Sequence, residues 1–172
     1  GKKPLNFVFN GNKKYFSFNK EKFKHYQIIH QVGTANFRGD LKKAESIAEK
    51  NYLAFELITP EDIGAVLNGA YLIISRSGAN TCWELLQLKK PAILIPLPVS
   101  SGREQGKNAQ LFKKAGLVEV IDQKDLSIEK LQNTVAKISQ NYQKYVKRGE
   151  VFAEKLPKDA NLKLVKYITQ YV

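Results

Sequence analysis

The stretch that decides the fold runs from residue 71 to residue 96 and reads YLIISRSGANTCWELLQLKKPAILIP. It contains two apolar runs, residues 71–75 and 92–96, with a helical pattern over residues 78–89 between them. Both runs are continuously apolar instead of alternating, which is typical of parallel strands that are covered on both faces. Two parallel strands joined by a helix form a right-handed βαβ unit. The stretch therefore predicts a parallel α/β sheet.

The same alternation continues towards both ends of the chain. Further strands are predicted over residues 5–9, 26–32, 54–58 and 118–121, and further helices over residues 40–50, 60–68, 104–115, 128–138 and 159–171. Pro60 favours a helix start and Gly116 favours a helix end. We therefore predict a single α/β domain, with a doubly wound parallel sheet of about six strands. In such sheets, ligands bind outside the carboxyl ends of the strands.

The composition is ordinary for a soluble globular domain. The chain has 172 residues, of which 43% are hydrophobic and 26% are charged. Its apolar runs are far shorter than the roughly 20 residues that span a bilayer. The single cysteine, Cys82, cannot form an internal disulfide, which fits a reducing cytoplasm. The sequence begins without Met and without a signal peptide, so we interpret it as a piece of a longer protein.

The chain is strongly basic, with 28 Lys and Arg against 16 Asp and Glu and a net charge of +12. A basic surface attracts nucleic acid or an anionic membrane. No zinc-finger spacing, aromatic RNA-binding signature or arginine cluster supports a nucleic-acid partner, so we expect none. An anionic membrane surface stays open as a partner, and so does the simpler interpretation that the lysines keep the protein soluble.

The loop SRSGANTCWE, residues 75–84, leads from a predicted strand into a predicted helix through small residues. Small residues let a ligand approach the backbone, and a helix N-terminus favours an anion. Ser77 and Thr81 add hydroxyl donors. Glu84 lies about a turn and a half into the helix, where a carboxylate that faces the crevice can accept hydrogen bonds from a ribose diol. The spacing alone leaves open a capped helix with a surface glutamate.

A second polar stretch, SSGREQGKNA at residues 100–109, follows two prolines and enters the next helix. Its Glu104, Gln105 and Asn108 offer donors and acceptors on adjacent turns, as the binding of sugar hydroxyls requires. A polar helix start is common, so this stretch by itself favours a sugar site only weakly.

Taken together, residues 73–121 resemble one protein family. The motifs SRSGANTxxE, KKPAILIPLP, REQxxNA and KKAG, together with HQxG at residues 30–33, are similar in order and spacing to the carboxyl-terminal half of the MurG family. Members of that family are cytoplasmic GlcNAc transferases of peptidoglycan synthesis with the two-domain GT-B fold. The resemblance implies that this chain is the Rossmann-like carboxyl-terminal half of such a GT-B glycosyltransferase. It also implies that the amino-terminal acceptor domain is absent from this chain.

The resemblance implies a site for the donor UDP-GlcNAc. Ten residues match its donor-binding positions: Ile58, Ser77, Gly78, Ala79, Asn80, Thr81, Glu84, Glu104, Gln105 and Asn108. Residues 77–81 would face the diphosphate and the sugar, Glu84 would hold the uridine ribose, and the backbone near Ile58 would meet uracil. Glu104 and Gln105 would read the GlcNAc hydroxyls, with Asn108 in the same motif. The sequence has no DxD-like pair, and the resemblance implies a diphosphate site without a metal ion, so neither a metal ion nor a cofactor is expected.

The resemblance further implies an inverting transfer of GlcNAc to undecaprenyl-diphosphate-MurNAc-pentapeptide (lipid I) at the inner face of the plasma membrane. The catalytic base is expected in the absent domain, so the catalytic residues are unknown and this chain alone is expected to be inactive. The chain departs from the family at residues 10–14, where NGNKK replaces the loop GGSxGA that reaches the donor diphosphate.

Two other functions fit the same residues. One is a related transferase with another nucleotide sugar or another lipid acceptor, such as a diacylglycerol glycosyltransferase. The other is a noncatalytic nucleotide-sugar-binding subunit that needs a membrane-bound partner.

Several other residues are interpreted as structural. His30 is expected to be a structural histidine, because no Cys partner or carboxylate stands at metal spacing from it. Cys82 is expected to be a small core residue, and Trp83 is expected to anchor packing. Tyr142, Tyr145 and Phe152 are expected to dock the terminal helices.

Overall fold

The computed structural model of the chain describes residues 5–10, 26–34, 40–47, 50–99, 103–156 and 169. Its strands are β1 (Leu5–Asn10), β2 (Tyr26–Gln31), β3 (Tyr52–Phe55), β4 (Leu72–Ser75), β5 (Ala92–Leu94) and β6 (Val118–Val120). Its helices are α1 (Asp40–Glu45), α2 (Pro60–Gly69), α3 (Ala79–Gln87), α4 (Glu104–Ala115), α5 (Ile128–Gln140) and α6 (Tyr142–Glu154). The NGNKK loop after Asn10, and the predicted last helix apart from Thr169, lie outside the described residues.

The six strands form one sheet in the order β3-β2-β1-β4-β5-β6, and all neighbouring strands are parallel. This confirms the predicted doubly wound sheet. The chain winds outward from β1 in one direction and from β4 in the other, so the direction reverses between these two adjacent strands. Such a switch point opens a crevice at the carboxyl edge of the sheet.

The sheet separates two apolar clusters, which explains the continuous apolar runs of the central strands. Leu72 and Ile74 of β4 face one cluster, together with residues of α5 and Tyr145 of α6. Ile73, between them, faces the other cluster, together with Leu85 of α3 and residues of α4. Successive side chains of a strand point to opposite faces, and here both faces are covered by helices.

The third strand lies earlier than predicted, at Tyr52–Phe55 instead of residues 54–58. It is an edge strand that pairs only with β2, and Leu53 and Phe55 are exposed on it. An edge strand with an exposed face does not need a continuous apolar run, so the apolar residues did not mark its bounds. The first helix also ends earlier, at Glu45 instead of residue 50. There the Ser46 hydroxyl donates to the carbonyl of Lys43, a local bond that competes with helix continuation.

Helix α6 was not predicted as a helix, although its aromatic residues pack as expected. Tyr142 stacks on Tyr71 with ring centroids 4.2 Å apart, and Phe152 meets Phe112 edge to face at 6.0 Å. Gly149 weakens the helical signal of the sequence, because glycine is a poor helix former. The fold requires a small residue there, since a Cβ on Gly149 would lie 2.6 Å from a methyl carbon of Leu117.

Candidate functional site

A cavity of about 350 Å³ opens at the carboxyl edge of the sheet. Apolar side chains of the segment after β3 and of α2 form much of its wall, among them Leu57, Ile63 and Leu67. Polar groups enter it from three elements, namely Gln31 at the end of β2, Ser75 at the end of β4, and Thr81 and Glu84 on α3. The cavity therefore combines an apolar wall with a few convergent hydrogen-bonding groups, as is typical of small-molecule sites.

The first turn of α3 borders this cavity with backbone N–H groups that the helix does not use. The first intrahelical bond runs from Cys82 N to Gly78 O at 3.0 Å, and the preceding N–H groups have no carbonyl within the helix. Gly78 at the N-cap has no side chain to accept from them, and the first turn carries no acidic residue. Helices α2 and α5 are different, because Thr59 and Ser127 cap them. As far as the described residues go, the start of α3 thus remains available to an anion.

Glu84 is exposed and lines the cavity from α3. Its carboxylate therefore stands at the crevice and not on a remote surface of the helix. Thr81 lies one turn earlier and lines the same cavity. Of the other residues at this helix start, Gly78 is half-buried, and Ala79 and Asn80 are exposed. Their contacts with a donor stay predictions.

Two hydrogen bonds of Ser77 and Asn108 join the loop before α3 to the start of α4, and we call this pair of bonds the clasp. Ser77 is fully buried, and its hydroxyl donates to the backbone carbonyl of Gln105 at 2.8 Å. The side-chain amide of Asn108 donates to the carbonyl of Ser77 at 3.1 Å. The hydroxyl predicted to face the donor therefore points to the protein, because it satisfies a carbonyl at the start of α4. The clasp fixes the start of α4 against the start of α3.

The start of α4 does not line the cavity that Glu84 faces. The Gln105 side-chain oxygen accepts from the N–H of Leu97 at 3.1 Å, which ties α4 to the loop after β5. Glu104 is exposed in the first turn of α4. A second cavity of about 280 Å³, bordered by Leu97, Arg103 and Gly106, opens beside this helix start. The two predicted motifs are thus adjacent, joined by the clasp, and open to two neighbouring cavities.

The backbone N–H of Ile58 has a partner within the chain. Ile58 is buried and lines the larger cavity, but its N–H already donates to the side-chain oxygen of Gln31 at 2.9 Å. The predicted contact of the Ile58 backbone with uracil stays a prediction. Gln31 had no predicted role. The only signal was its position in the HQxG motif at the end of a strand.

The residues beside Gln31 and Glu84 are structural. His30 is fully buried and forms a hydrogen bond with the hydroxyl of Tyr52, as its structural interpretation predicted. Burial raises the pKa of the Tyr52 hydroxyl far above its ordinary value. Burial also raises the pKa of the Cys82 thiol to about 11, which fits its predicted place in the core. The packing role predicted for Trp83 is wrong, because Trp83 is 52% exposed and belongs to neither apolar cluster.

The fold and the crevice define a Rossmann-like α/β domain of the kind found in GT-B glycosyltransferases. The sequence model of the glycosyltransferase family 28 C-terminal domain matches residues 10–162, and the chain belongs to this family.

Two relatives carry the name UDP-N-acetylglucosamine--N-acetylmuramyl-(pentapeptide) pyrophosphoryl-undecaprenol N-acetylglucosamine transferase. The protein from Clostridium kluyveri is 35% identical over 153 residues, which cover 88% of this chain and 40% of the relative. The protein from Geobacillus kaustophilus is 37% identical over 126 residues, which cover 73% of this chain and 34% of the relative. The chain thus corresponds to less than half the length of either relative.

Two solved structures show the same fold. MurG from Acinetobacter baumannii matches with a TM-score of 0.68 at 21% identity, over 99% of this chain and 51% of that chain. The glycosyltransferase VinC in complex with dTDP matches with a TM-score of 0.69 at 13% identity, over 96% of this chain and 41% of that chain.

Proposed function

We propose that this chain is the donor-binding domain of an inverting glycosyltransferase and that its donor is UDP-GlcNAc. The complete protein would transfer GlcNAc to undecaprenyl-diphosphate-MurNAc-pentapeptide, with the lipid-linked acceptor held by an amino-terminal domain. The names of the curated relatives support this substrate pair. The observation that carries the proposal is the cavity at the switch point, where Glu84 and Thr81 stand beside the uncapped start of α3.

In this reaction an acceptor hydroxyl displaces UDP from the anomeric carbon of GlcNAc. The N–H groups and the dipole at the start of α3 would stabilise the negative charge that develops on the departing diphosphate. We expect neither a cofactor nor a metal ion in the site, because the helix start supplies the positive potential that a diphosphate needs. The base that removes the acceptor proton is expected outside this chain.

The clasp gives the sugar site its geometry in this proposal. GlcNAc would lie over the start of α4, near Glu104 and Gln105, while the diphosphate lies at the start of α3. The bonds from Ser77 to Gln105 and from Asn108 to Ser77 hold these two helix starts together. A preorganised arrangement lowers the entropic cost of binding both parts of the donor.

Calorimetric titration with UDP, UDP-GlcNAc and dTDP tests the donor assignment. We expect Glu84→Ala to weaken UDP binding by about 1–3 kcal/mol, because two ribose hydroxyls lose a charged acceptor. Glu154→Ala is the matched control, since Glu154 is an exposed helical glutamate on α6 that lines no part of the cavity. Equal affinities of the two variants would remove Glu84 from the site. A preference for dTDP would favour a transferase with another nucleotide sugar.

We also propose that the complete protein is cytoplasmic and peripheral, and that a groove between α4 and α6 contacts anionic lipid. The groove encloses about 450 Å³ and includes Lys114, Arg148 and Lys155. Leu111 and Val151, which also line it, are 52% and 39% exposed. In the described part of the chain, none of these three cations forms an ion pair. Unpaired cations around exposed apolar side chains complement an anionic membrane surface.

Vesicle flotation tests this contact. We expect binding to phosphatidylglycerol vesicles but not to phosphatidylcholine vesicles, and weakening by salt. The double variant Lys114→Glu/Lys155→Glu should lose binding, whereas Lys42→Glu/Lys89→Glu, with the same charge change at exposed positions outside the groove, should retain most of it. Equal losses in both variants would show that net charge and not the groove is responsible. Displacement of the vesicles by RNA would favour a nucleic-acid partner instead.

A further inference from the structure

The outer edge of strand β3 lies open in the described part of the chain. β3 pairs with β2 on one side and ends the sheet on the other. On the paired side, Ile28 of β2 donates to the carbonyl of Asn51 at 2.8 Å. Val32, directly after β2, donates to the carbonyl of Phe55 at 2.9 Å. Because successive residues of a strand direct their backbone groups to opposite sides, the N–H and C=O of Ala54 point to the open edge.

Apolar side chains follow this edge on one face of the sheet. Leu53, Phe55 and Leu57 are 56%, 43% and 56% exposed. Leu53 and Phe55 alternate in β3 and therefore project to the same face, and Leu57 continues the alternation just beyond the strand. Ala54 lies between them and packs against the cluster on the other face. Exposed apolar side chains beside an open strand edge mark a surface that pairs with another chain.

The opposite edge of the sheet lacks these features. On its strand, β6, Val118 is buried and Val120 is half-buried. Glu119, between them, forms an ion pair with Lys137 of α5, with 2.7 Å between Oε1 and Nζ. A charged side chain on an edge strand is one of the means by which proteins prevent pairing at that edge. β3 carries no charged residue, so this protection is missing there.

Charged side chains of opposite sign flank Ala54. Lys50 lies four residues before it and Glu56 two residues after it, and both are exposed. Within the described ranges, neither forms an ion pair. A twofold axis through Ala54 places Glu56 of one copy diagonally across from Lys50 of the other, at about 7–8 Å, which a lysine side chain spans. The edge is therefore complementary in charge to itself, whereas a purely basic or purely acidic partner would meet a like charge at one end.

We propose that the open edge of β3 is an interface for a second copy of this chain, with the two β3 strands paired antiparallel about Ala54. The N–H and C=O of Ala54 bond to those of its counterpart. Leu53 of each copy lies opposite Phe55 of the other, and such aromatic–aliphatic pairs stabilise a sheet. The carbonyl of Glu56 accepts from Gly33 at 2.9 Å, so the pairing is centred on Ala54 and ends at Glu56. The same surface serves both copies, so the contact closes as a dimer.

Analytical ultracentrifugation of the chain over about 1 μM to 1 mM tests this contact. We expect a reversible equilibrium between monomer and dimer, because the contact is short. Glu56→Lys should raise the dissociation constant of the dimer about tenfold or more, since it replaces two attractive pairs by two repulsive ones. The double variant Lys50→Glu/Glu56→Lys restores both pairs with their signs exchanged, so it should dimerise like the wild type.

Two other variants test charge and backbone separately. Glu45→Lys is the matched control for Glu56→Lys, since Glu45 is an exposed glutamate on α1, and it should dimerise like the wild type. Ala54→Pro removes the N–H that faces the open edge and leaves the bonds to β2 in place. It should therefore stay monomeric and keep the circular dichroism spectrum of the wild type.

A chain that stays monomeric up to about 1 mM would overturn the proposal. A dimer that Glu56→Lys leaves intact, or that the double variant fails to restore, would also overturn it, because the contact would then lie elsewhere. The exchange of charges decides the matter even if Ala54→Pro does not fold. None of these measurements requires a nucleotide, so a negative result leaves the proposed function standing.

Discussion

Replacing Asn108 with alanine removes one bond of the clasp that holds the two helix starts together. The amide of Asn108 donates to the carbonyl of Ser77 at 3.1 Å, and Ser77 is fully buried. A buried acceptor left without a partner costs about 1–3 kcal/mol. The second bond, from the Ser77 hydroxyl to Gln105, survives the substitution, so we expect the lower part of this range, about 1–2 kcal/mol. For a chain of this length, that loss lowers the melting temperature by about 2–8 °C.

The assay combines thermal unfolding, followed by circular dichroism, with calorimetric titration of UDP-GlcNAc. We expect Asn108→Ala to lower both the melting temperature and the affinity, because the start of α4 is no longer fixed against α3. The matched control is Asn133→Ala, since Asn133 is an exposed asparagine on α5. A melting temperature of Asn108→Ala equal to that of the control would refute the clasp. A lower melting temperature with unchanged affinity would restrict the clasp to stability.

Three further predictions concern single residues. Gly78→Ala should bind UDP-GlcNAc more weakly, which calorimetry would check. Its melting temperature should be unchanged in thermal unfolding, because the φ of Gly78 is −61° and a Cβ there meets no atom of the chain within 4 Å. Burial raises the pKa of Glu119, but hydrogen bonds from Lys137 and Tyr145 outweigh burial and lower its pKa overall. The contribution of Glu119 to the free energy of unfolding should therefore be complete above pH 4.5 and fade as the pH falls below that value. In urea unfolding, the free energies of the wild type and of Glu119→Gln should become equal in acid. Cys82 should react with a thiol reagent at pH 8 only after unfolding, since it is 1% exposed and burial raises its pKa to about 11.

The central part of the fold was predictable because its signals are local. The continuous apolar runs of β4 and β5 indicate strands that are covered on both faces, and the small residues Ser77 and Gly78 between β4 and α3 indicate a loop that a ligand can approach. The position of Glu84 on the crevice side followed from its spacing on α3 together with the family resemblance. The bounds of β3 did not follow, because an edge strand lacks the two-sided burial that marks the central strands. Helix α6 was missed because Gly149 weakens its helical pattern.

The roles of Ser77, Asn108 and Gln31 were not readable from local pattern. A buried serine that donates to the carbonyl of another helix and a serine that faces a phosphate look the same in a sequence, since both follow a strand and precede a helix. Only the partners distinguish them, and Ser77 finds its partner in Gln105, 28 residues later. In the same way, Gln31 meets Ile58 across 27 residues.

The sequence by itself determined a parallel α/β domain, with small residues at the start of one helix and a carboxylate a turn and a half into that helix. These properties depend on residues within one element and the loop before it. The tertiary structure alone decided which polar groups support the fold and which face the crevice. That choice depends on strand order, because neighbouring parallel strands bring together groups that the chain keeps about thirty residues apart.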